Sequence, residues 1–205
     1  MQADFEYPAL LLVNSASWEY EVNTRSFVSP FTNTAQVVEA QGHKWRATFN
    51  YQNLTKEQSH LLRWMEAVSK GGSKSFAIPM QGNDYLGNAT LAAVVSGAGQ
   101  GGTTLETSNW GPNAVALEVG SLFSVNGEMK TSTARVVANG SGVATLQFEP
   151  PLRDTPNSGE RIHYNPPIPT MRRVVNESAS QSLTNGSEMT GTLVATSIGF
   201  EEKIF

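Results

Sequence analysis

Residues 87–152 constrain the fold more than any other part of the sequence, because they consist of short apolar–polar alternations interrupted by glycine and asparagine. Successive side chains of a strand point to opposite faces, so this pattern predicts strands with one buried face. The predicted strands cover residues 89–95, 103–107, 122–125, 134–138 and 143–149. No segment here has a helical period of useful length. Strands at this spacing indicate a small barrel or sandwich.

The last of these strands ends at two adjacent prolines, Pro150 and Pro151. Its inward face is predicted to consist of Ala144, Leu146 and Phe148. Proline has no amide hydrogen to donate to a β ladder, and its ring holds the chain extended. We therefore expect the prolines to end the pairing and to form a rigid corner. Arg153 and Asp154, just after this corner, are expected to be exposed contact residues rather than catalysts.

Two further strands are predicted in the first quarter of the chain. Their alternating apolar positions are Trp18, Tyr20 and Val22 in one, and Trp45, Ala47, Phe49 and Tyr51 in the other. The segment between them, residues 23–41, is long and carries Pro30 and two phenylalanines near its middle. This segment is interpreted as an extended loop or a projecting hairpin.

One helix is predicted over residues 55–70. Thr55 can serve as its N-cap, and Gln58 completes a capping box, which typically contributes about 1 kcal/mol. The apolar face at helical spacing consists of Leu61, Leu62, Met65 and Val68, with Trp64 at its border. Gly71 or Gly72 is expected to take the left-handed conformation that terminates the helix.

The elements together predict a mainly β fold, all-β apart from the one helix. An outer domain, a β-sandwich or barrel, is expected from residues 1–86 and 166–205, and it includes the helix. An all-β module of residues 87–165 is expected to be inserted between its two halves.

Composition excludes several classes of function. Charged residues make up 16% of the chain, the formal net charge is −4, and only Arg172 and Arg173 are adjacent cations. Nucleic-acid binding through a basic surface needs clustered cations, so it is not expected. The absence of cysteine excludes disulfides, thiol nucleophiles and thiolate metal sites. Without a signal peptide or an apolar run of ~20 residues, a protein made in the cytoplasm, with no membrane insertion, is expected.

No arrangement of residues indicates catalysis, a cofactor or a metal, so the chain is not expected to be an enzyme. His43, His60 and His163 have no metal-ligand spacing. The GAGQGG sequence at 97–102 lacks the lysine and the following helix of a phosphate-binding loop, so it is interpreted as a hairpin loop. Glu19 and Glu21 share one strand face, as paired carboxylates of a glycosidase could, but they are interpreted as solvated residues.

Trp110 lies in a loop rich in glycine, proline and asparagine. Such a tryptophan could stack on a sugar, a base or a neighbouring subunit, or it could plug the end of the small barrel. The packing interpretation is favoured.

The order of these elements resembles the distal tail proteins of long-tailed bacteriophages over nearly the whole chain. The segments that carry the resemblance are WRATFNYQNLTKEQSHLLRWMEAVSKGGSKSFAIPM, VGSLFSVNGEMKTSTARVVANGSGVATLQFEPPL and PIPTMRRVV. They contain a W-x-x-x-F strand, a helix that ends in glycines before F-x-I-P, a G-S-L-F-S-V start and a G-x-A-T-L-x-F-x-P-P-L strand. Each motif alone is weak, and their order and spacing carry the likeness.

The resemblance implies a structural virion protein at the distal end of a phage tail. Such proteins form a ring, commonly a homohexamer, between the tail tube protein and the baseplate or tail-tip hub, and DNA passes through the lumen during ejection. It also implies that residues 87–165 form an OB-like barrel that points outward and contacts side-fibre proteins or host saccharide. By position, residues 23–41 would wrap a neighbouring subunit, with Phe27, Pro30, Phe31 and Gln36 as contacts.

A carbohydrate-binding module that contacts the host surface through the barrel is the alternative. In that case Trp110, Arg153 and Asp154 are the candidate saccharide or partner contacts. A glycosidase that uses Glu19 and Glu21 is the third and least favoured hypothesis.

Overall fold

A computed structural model describes residues 3–39, 42–174, 183–184, 192–193 and 196–203. Among the described residues strands make up 42% and helix 10%, so the prediction of a mainly β fold is confirmed. No helix in the described residues is long and apolar enough to cross a membrane.

The elements follow one another along the chain in an order dominated by strands. They are β1 (Phe5–Glu6), β2 (Ser15–Glu21), β3 (Thr24–Val28), β4 (Ala35–Glu39), β5 (Lys44–Tyr51), α1 (Lys56–Ser69), a 3-10 turn (Lys70–Gly72), β6 (Ser75–Ala77), β7 (Val94–Val95), β8 (Gly102–Ser108), β9 (Val115–Leu117), β10 (Leu122–Val125), β11 (Glu128–Ser132), β12 (Val136–Val137), β13 (Ala144–Leu152), β14 (Thr170–Arg173), β15 (Leu183–Thr184), β16 (Thr192–Leu193) and β17 (Thr196–Glu202).

The chain divides into two compact units. Unit A consists of Met1–Ala9 and Lys74–Met171, and unit B consists of Leu10–Ser73 and Arg172–Phe205. These boundaries differ from the expected insertion of residues 87–165. Unit A is larger than the expected module because residues before position 87 and after position 165 also form hydrogen bonds within it. The Met80 amide donates to the Pro167 carbonyl at 2.9 Å, and the Thr170 amide donates to the Gly127 carbonyl at 2.7 Å.

Unit A contains an antiparallel sheet of five strands in the order β10-β11-β13-β8-β7. A two-stranded pair, β9 with β12, accompanies it, and β1 runs parallel to β6. On β13 the buried and exposed side chains alternate, with Ala144, Leu146 and Phe148 buried as predicted. Leu105 on β8 is paired with Leu146 and is also fully buried. The core of unit A is therefore built on one face of this sheet.

The prolines do not end β13 as expected, since the strand continues to Leu152. Its ladder with β8 is interrupted after the pair Gln147 and Thr104, and it resumes at Leu152 and Gly102. Four residues of β13, Phe148 to Pro151, lie in this gap against one residue of β8, Thr103, and the two prolines among them have no amide hydrogen for the ladder. The pairing with β8 is therefore interrupted near the prolines, but β13 itself continues through them.

The prediction of strand 122–125 is confirmed, and strand 103–107 is longer than predicted. The predicted strand 89–95 is wrong except for Val94 and Val95. Before Val94, side chains rather than a neighbouring strand form hydrogen bonds with the backbone carbonyls of this segment. The Asn109 side-chain amide donates to the Ala92 carbonyl at 2.7 Å, and the Tyr164 hydroxyl donates to the Leu91 carbonyl at 2.6 Å.

Strands β9 and β11 were not predicted, and the predicted strand 134–138 shrinks to Val136–Val137. Strand β11 forms a tight antiparallel hairpin with β10, in which Val125 is paired with Glu128. Asn126 and Gly127 form its turn with φ of 52° and 75°. An Asn-Gly pair in this conformation is the preferred two-residue hairpin turn.

Unit B is organised around β5, which pairs antiparallel with β2 on one edge and with β17 on the other. The alternation predicted for β5 is confirmed, with Ala47, Phe49 and Tyr51 buried. Phe49 packs against Trp18 of β2 and Phe200 of β17, with ring centroids 5.8 and 5.3 Å apart. Val22 lies beyond the end of β2 and is exposed, contrary to its predicted place on the inward face.

Helix α1 has the predicted capping box. The Thr55 hydroxyl accepts a hydrogen bond from the Gln58 amide, and the Gln58 side chain accepts one from the Thr55 amide. The buried residues are Ser59, Leu62, Met65 and Ser69, whereas Leu61 and Val68 are half-buried and Trp64 is exposed. The buried face is therefore rotated from the one predicted. The left-handed turn begins at Lys70, one residue before the expected glycines.

Gly87 provides a test of the packing inside unit A. An added Cβ at this position would overlap the Tyr85 hydroxyl and the Val115 carbonyl oxygen. That hydroxyl has one hydrogen and lies 3.1 and 2.9 Å from the Val115 and Ala116 carbonyl oxygens, and burial raises its pKa to about 12. We expect Gly87→Ala to lower the free energy of unfolding by about 1–3 kcal/mol in urea denaturation.

Gly140→Ala is the matched control, because nothing lies within 4 Å of the Cβ that would be added there. It should change the free energy of unfolding by less than about 0.5 kcal/mol. Equal effects of the two substitutions would contradict the close packing at Gly87.

Candidate functional site

The segment between β2 and β5 forms an antiparallel hairpin, which we call the arm and define as residues 24–39. Of the two structures that the sequence allowed, an extended loop or a projecting hairpin, the hairpin is the one formed. Strands β3 and β4 make a two-stranded sheet of their own. Isolated two-stranded hairpins are at best marginally stable in water.

Hydrogen bonds hold the turn of the arm. The Ser29 amide donates to the Thr34 carbonyl, and the Asn33 amide donates to the Ser29 carbonyl, both at 2.9 Å. The Ser29 hydroxyl accepts from the amides of Phe31 and Thr32 at 3.4 Å. Asn33 has a φ of 54°, a left-handed conformation that asparagine tolerates better than most residues. The turn thus holds Phe31 at the tip of the arm.

Apolar side chains occur on both faces of the arm. Cross-strand pairing places Phe27 opposite Gln36 on one face and Val28 opposite Ala35 on the other. From residue 24 to residue 38 every side chain except that of Ser29 is exposed. Phe31 is 96% exposed, and Phe27 and Val37 are more than half exposed. The arm therefore buries none of its large apolar side chains within the chain.

The base of the arm is attached to the sheet of unit B. The β2–β5 register brings Glu21 opposite Lys44, and the arm lies between these two residues in the sequence. His43 is buried, and its Nδ1 accepts a hydrogen bond from the Asn23 amide at 3.2 Å. Its ring stacks on Tyr20 with centroids 5.9 Å apart. These contacts fix both ends of the arm where it leaves the sheet.

Glu201 on β17 forms ion pairs with residues on two other strands. Its carboxylate contacts Lys44 of β5 at 2.7 Å and Arg172 of β14 at 2.9 Å. Burial of the carboxylate would raise its pKa, but hydrogen bonds and charge from Lys44 and Arg172 outweigh burial and hold the pKa below its ordinary value. Glu201 could not be recognised from the sequence, because its partners are distant in sequence and strand pairing brings them together.

The predicted interface residues all lie on the arm and are exposed: Phe27, Pro30, Phe31 and Gln36. The hairpin brings Phe27 and Gln36 together as a cross-strand pair, and the turn carries Pro30 and Phe31. Their position is compatible with subunit contacts.

Trp110 is fully buried in the core of unit A and is not a surface contact. Its indole N–H donates to the Thr107 hydroxyl at 2.7 Å, and that hydroxyl donates to the Ala144 carbonyl at 2.7 Å. The ring packs against Tyr164 with centroids 5.0 Å apart. Of the two interpretations of this residue, packing is correct, because its polar atom is satisfied inside the core.

Arg153 and Asp154 lie beside a buried ion pair. Both backbone amides donate to the Glu128 carboxylate at 3.1 Å, and that carboxylate contacts the Lys130 ammonium at 2.6 Å. Lys130 is completely buried and also donates to the Pro151 carbonyl at 2.8 Å. The segment after the prolines is therefore held by its backbone. The Asp154 side chain is exposed as expected, and that of Arg153 is half-buried.

The residues considered for catalysis are not brought together. Glu19 is exposed, and Glu21 forms an ion pair with Arg46 at 2.9 Å. His43 is buried at the base of the arm, His60 is exposed on α1, and the His163 backbone bridges to Ser124. The described part of the chain contains no group of three or more histidine, aspartate or glutamate side chains that could hold a metal ion.

No protein-family model matches the sequence, and no curated protein is significantly similar to it.

The ion pairs of Glu201 predict a pH-dependent contribution to stability. We expect Glu201→Gln to lower the free energy of unfolding at pH 7 by about 1.5–3 kcal/mol, since it weakens hydrogen bonds between charged groups. A folded-state pKa below the unfolded one stabilises the fold above the unfolded pKa, and this contribution is lost as the pH falls below about 4. The difference between the two proteins should shrink over that range in urea denaturation.

Glu19→Gln removes an exposed carboxylate from the same sheet and serves as the control. It should leave the free energy of unfolding within about 0.5 kcal/mol of the parent protein. If Glu201→Gln lowers the free energy of unfolding equally at pH 7 and at pH 3, the ionised Glu201 carboxylate does not stabilise the fold as proposed.

Proposed function

We propose that this chain is a structural virion protein that forms a ring at the distal end of a phage tail and connects the tail tube to the tail-tip hub. The observation that carries the proposal is the arm, which exposes Phe27, Phe31 and the valines of both strands. The resemblance in sequence implies a ring as the assembly, and the arm is an exposed apolar surface suited to contacts between its subunits.

The exposed apolar side chains of the arm favour a partner. Monomeric proteins rarely expose large contiguous apolar patches, and such patches mark interaction sites. Burying apolar surface stabilises an interface by roughly 25 cal/mol per Å² of apolar area. Because Phe27, Phe31 and Val37 are more than half exposed within their own chain, the arm gains most of this free energy when another molecule covers it.

A ring needs two different adhesive surfaces on each subunit, because a cyclic head-to-tail contact is heterologous. The arm is one such surface. The net charge of −4 also suits a ring through which DNA passes without binding. The proposal assigns no catalytic residue, metal or cofactor.

The distribution of aromatic residues disfavours the carbohydrate-binding alternative. Protein sites that stack on planar or ring ligands use exposed aromatic side chains. In the described part of unit A every aromatic side chain is buried or half-buried: Phe5, Tyr7, Phe76, Tyr85, Trp110, Phe123, Phe148 and Tyr164. Among the residues that the structure describes, the exposed aromatic side chains are Phe27, Phe31 and Trp64, and all three belong to unit B.

The proposal predicts that the arm drives association without contributing to the fold. We expect the parent protein to form rings, measured by multi-angle light scattering and negative-stain imaging at high protein concentration. The double variant Phe27→Ser and Phe31→Ser should remain monomeric. Its free energy of unfolding should stay within about 0.5 kcal/mol of the parent value, because both side chains are exposed.

The matched control is Leu86→Ser with Val119→Ser, which removes two comparably exposed apolar side chains from unit A. This control should assemble like the parent protein. Equal loss of assembly in both double variants would contradict a specific role of the arm.

A second experiment locates the protein in the virion. An antibody against this chain, with a gold label, should mark the distal end of the tail in electron micrographs of the phage that encodes it. Label on the capsid or along the tube, or no label on the virion, would overturn the proposal. Binding of a defined glycan by a monomeric protein would support the carbohydrate-binding alternative.

A further inference from the structure

Asn139 and Gly140 lie in an exposed turn of unit A, just before β13. The Asn139 side-chain oxygen, Oδ1, accepts hydrogen bonds from the backbone amides of Ser141 at 2.9 Å and Val143 at 3.0 Å. Two amide donors are therefore aimed at one carbonyl oxygen of a side chain that water can reach.

The residue after this asparagine is a glycine whose backbone nitrogen is open to approach. Apart from its own chain neighbours, no atom lies within 4 Å of the position that a Cβ of residue 140 would take. Among the described residues, no hydrogen bond engages the Gly140 amide or the Asn139 side-chain nitrogen, Nδ2. A nucleophile, an electrophilic carbonyl carbon and an unbound leaving group thus occur next to one another.

These groups allow an intramolecular reaction in water. Hydroxide takes the proton of the Gly140 amide, and the nitrogen forms a bond to Cγ of Asn139. The negative charge that develops on Oδ1 is stabilised by the Ser141 and Val143 amides, as oxyanion donors stabilise it in acyl transfer. The bond from Cγ to Nδ2 then breaks, and Nδ2 leaves as ammonia with a proton from water. Water opens the resulting cyclic imide at either carbonyl, which gives an aspartyl or an isoaspartyl residue.

We propose that Asn139–Gly140 is a site of spontaneous deamidation in the folded protein, and that its isoaspartyl product loosens the turn. The proposal is independent of the ring. The aspartyl product keeps the backbone intact and keeps an oxygen at the position of Oδ1, so the turn keeps its hydrogen bonds. The isoaspartyl product carries the chain through the former side chain, which adds one methylene to the backbone.

The isoaspartyl link also removes the backbone carbonyl of residue 139, which becomes a free carboxylate. In the parent protein that carbonyl accepts hydrogen bonds from the Asn113 and Gly142 amides at 3.1 and 2.9 Å. The Gly142 carbonyl in turn accepts from the amide of the buried Trp110 at 3.1 Å. Loosening this turn therefore weakens the support of a core residue.

The other Asn-Gly pair of unit A, Asn126–Gly127, is protected by the fold. Asn126 is only 9% exposed, and the pair forms the tight turn between β10 and β11. The Gly127 carbonyl accepts from the amide of the buried Thr170 at 2.7 Å. Water and hydroxide reach this turn when the hairpin opens locally, and that opening costs free energy.

Peptide mapping by mass spectrometry measures the reaction at both asparagines in one sample. Folded protein is incubated at mildly alkaline pH, and the fraction of each side-chain amide converted to a carboxyl group is followed over time. We expect Asn139 to react at least about tenfold faster than Asn126, which reacts through local opening. In protein unfolded by guanidinium chloride the two rates should become similar, because glycine follows both residues. Asn185, followed by Gly186, lies outside the described residues and does not enter the comparison.

Two variants separate the chemistry from its effect on the turn. Gly140→Ala places a methyl group beside the attacking nitrogen, so it should slow the reaction at Asn139 at least about tenfold and leave the rate at Asn126 unchanged. Asn139→Asp reproduces the aspartyl product and should unfold at the same urea concentration as the parent protein. Aged protein rich in isoaspartate should unfold at a lower urea concentration than this variant.

Equal rates at Asn139 and Asn126 in the folded protein overturn the proposal. Reaction at Asn139 that begins only after unfolding also overturns it, since the fold would then protect both sites. Aged protein that unfolds at the same urea concentration as the Asn139→Asp variant overturns the loosening of the turn. These outcomes are distinct from those that test the ring, which depend on association and on the location of the protein in the virion.

Discussion

Strand β5 is the element on which unit B depends, because it pairs along both edges. Seven residue pairs join it to β2 and six join it to β17, so its position is fixed over its whole length. Glu201 strengthens this arrangement, since its carboxylate contacts cations on β5 and on β14. The arm leaves the sheet where β2 ends and returns where β5 begins, so the same pairing sets the place and direction from which the arm projects.

Local patterns in the sequence predicted the parts of the fold that local chemistry determines. The alternation in β5 and β13 identifies their buried faces, and the capping box at Thr55 and Gln58 identifies the start of α1. Strand β11 was missed although Asn126-Gly127 is a strong hairpin signal, because the residues of β11 do not alternate: Glu128, Met129 and Lys130 are all buried. A buried lysine with a glutamate partner cannot be recognised from periodicity.

Other features could not be predicted because they depend on contacts between distant residues. The segment before β7 has the composition of a strand, but side chains of Asn109 and Tyr164 bond its carbonyls. The buried face of α1 is rotated so that Ser59 and Ser69 are buried and Trp64 is exposed. The position of Phe31 at an exposed tip could be anticipated from its proline-containing loop, but its hairpin register could not.

The arm carries apolar side chains on both of its faces, and this limits how they can be buried. In a strand pair that packs on its own sheet, apolar residues occupy one face and polar residues the other. Here Phe27 and Val38 share one face, and Val28 and Val37 share the opposite face. Folding back onto unit B would cover one face and leave the other in water. An arm of this kind buries its apolar surface fully only when it is enclosed from both sides. That requirement agrees with the ring proposed above.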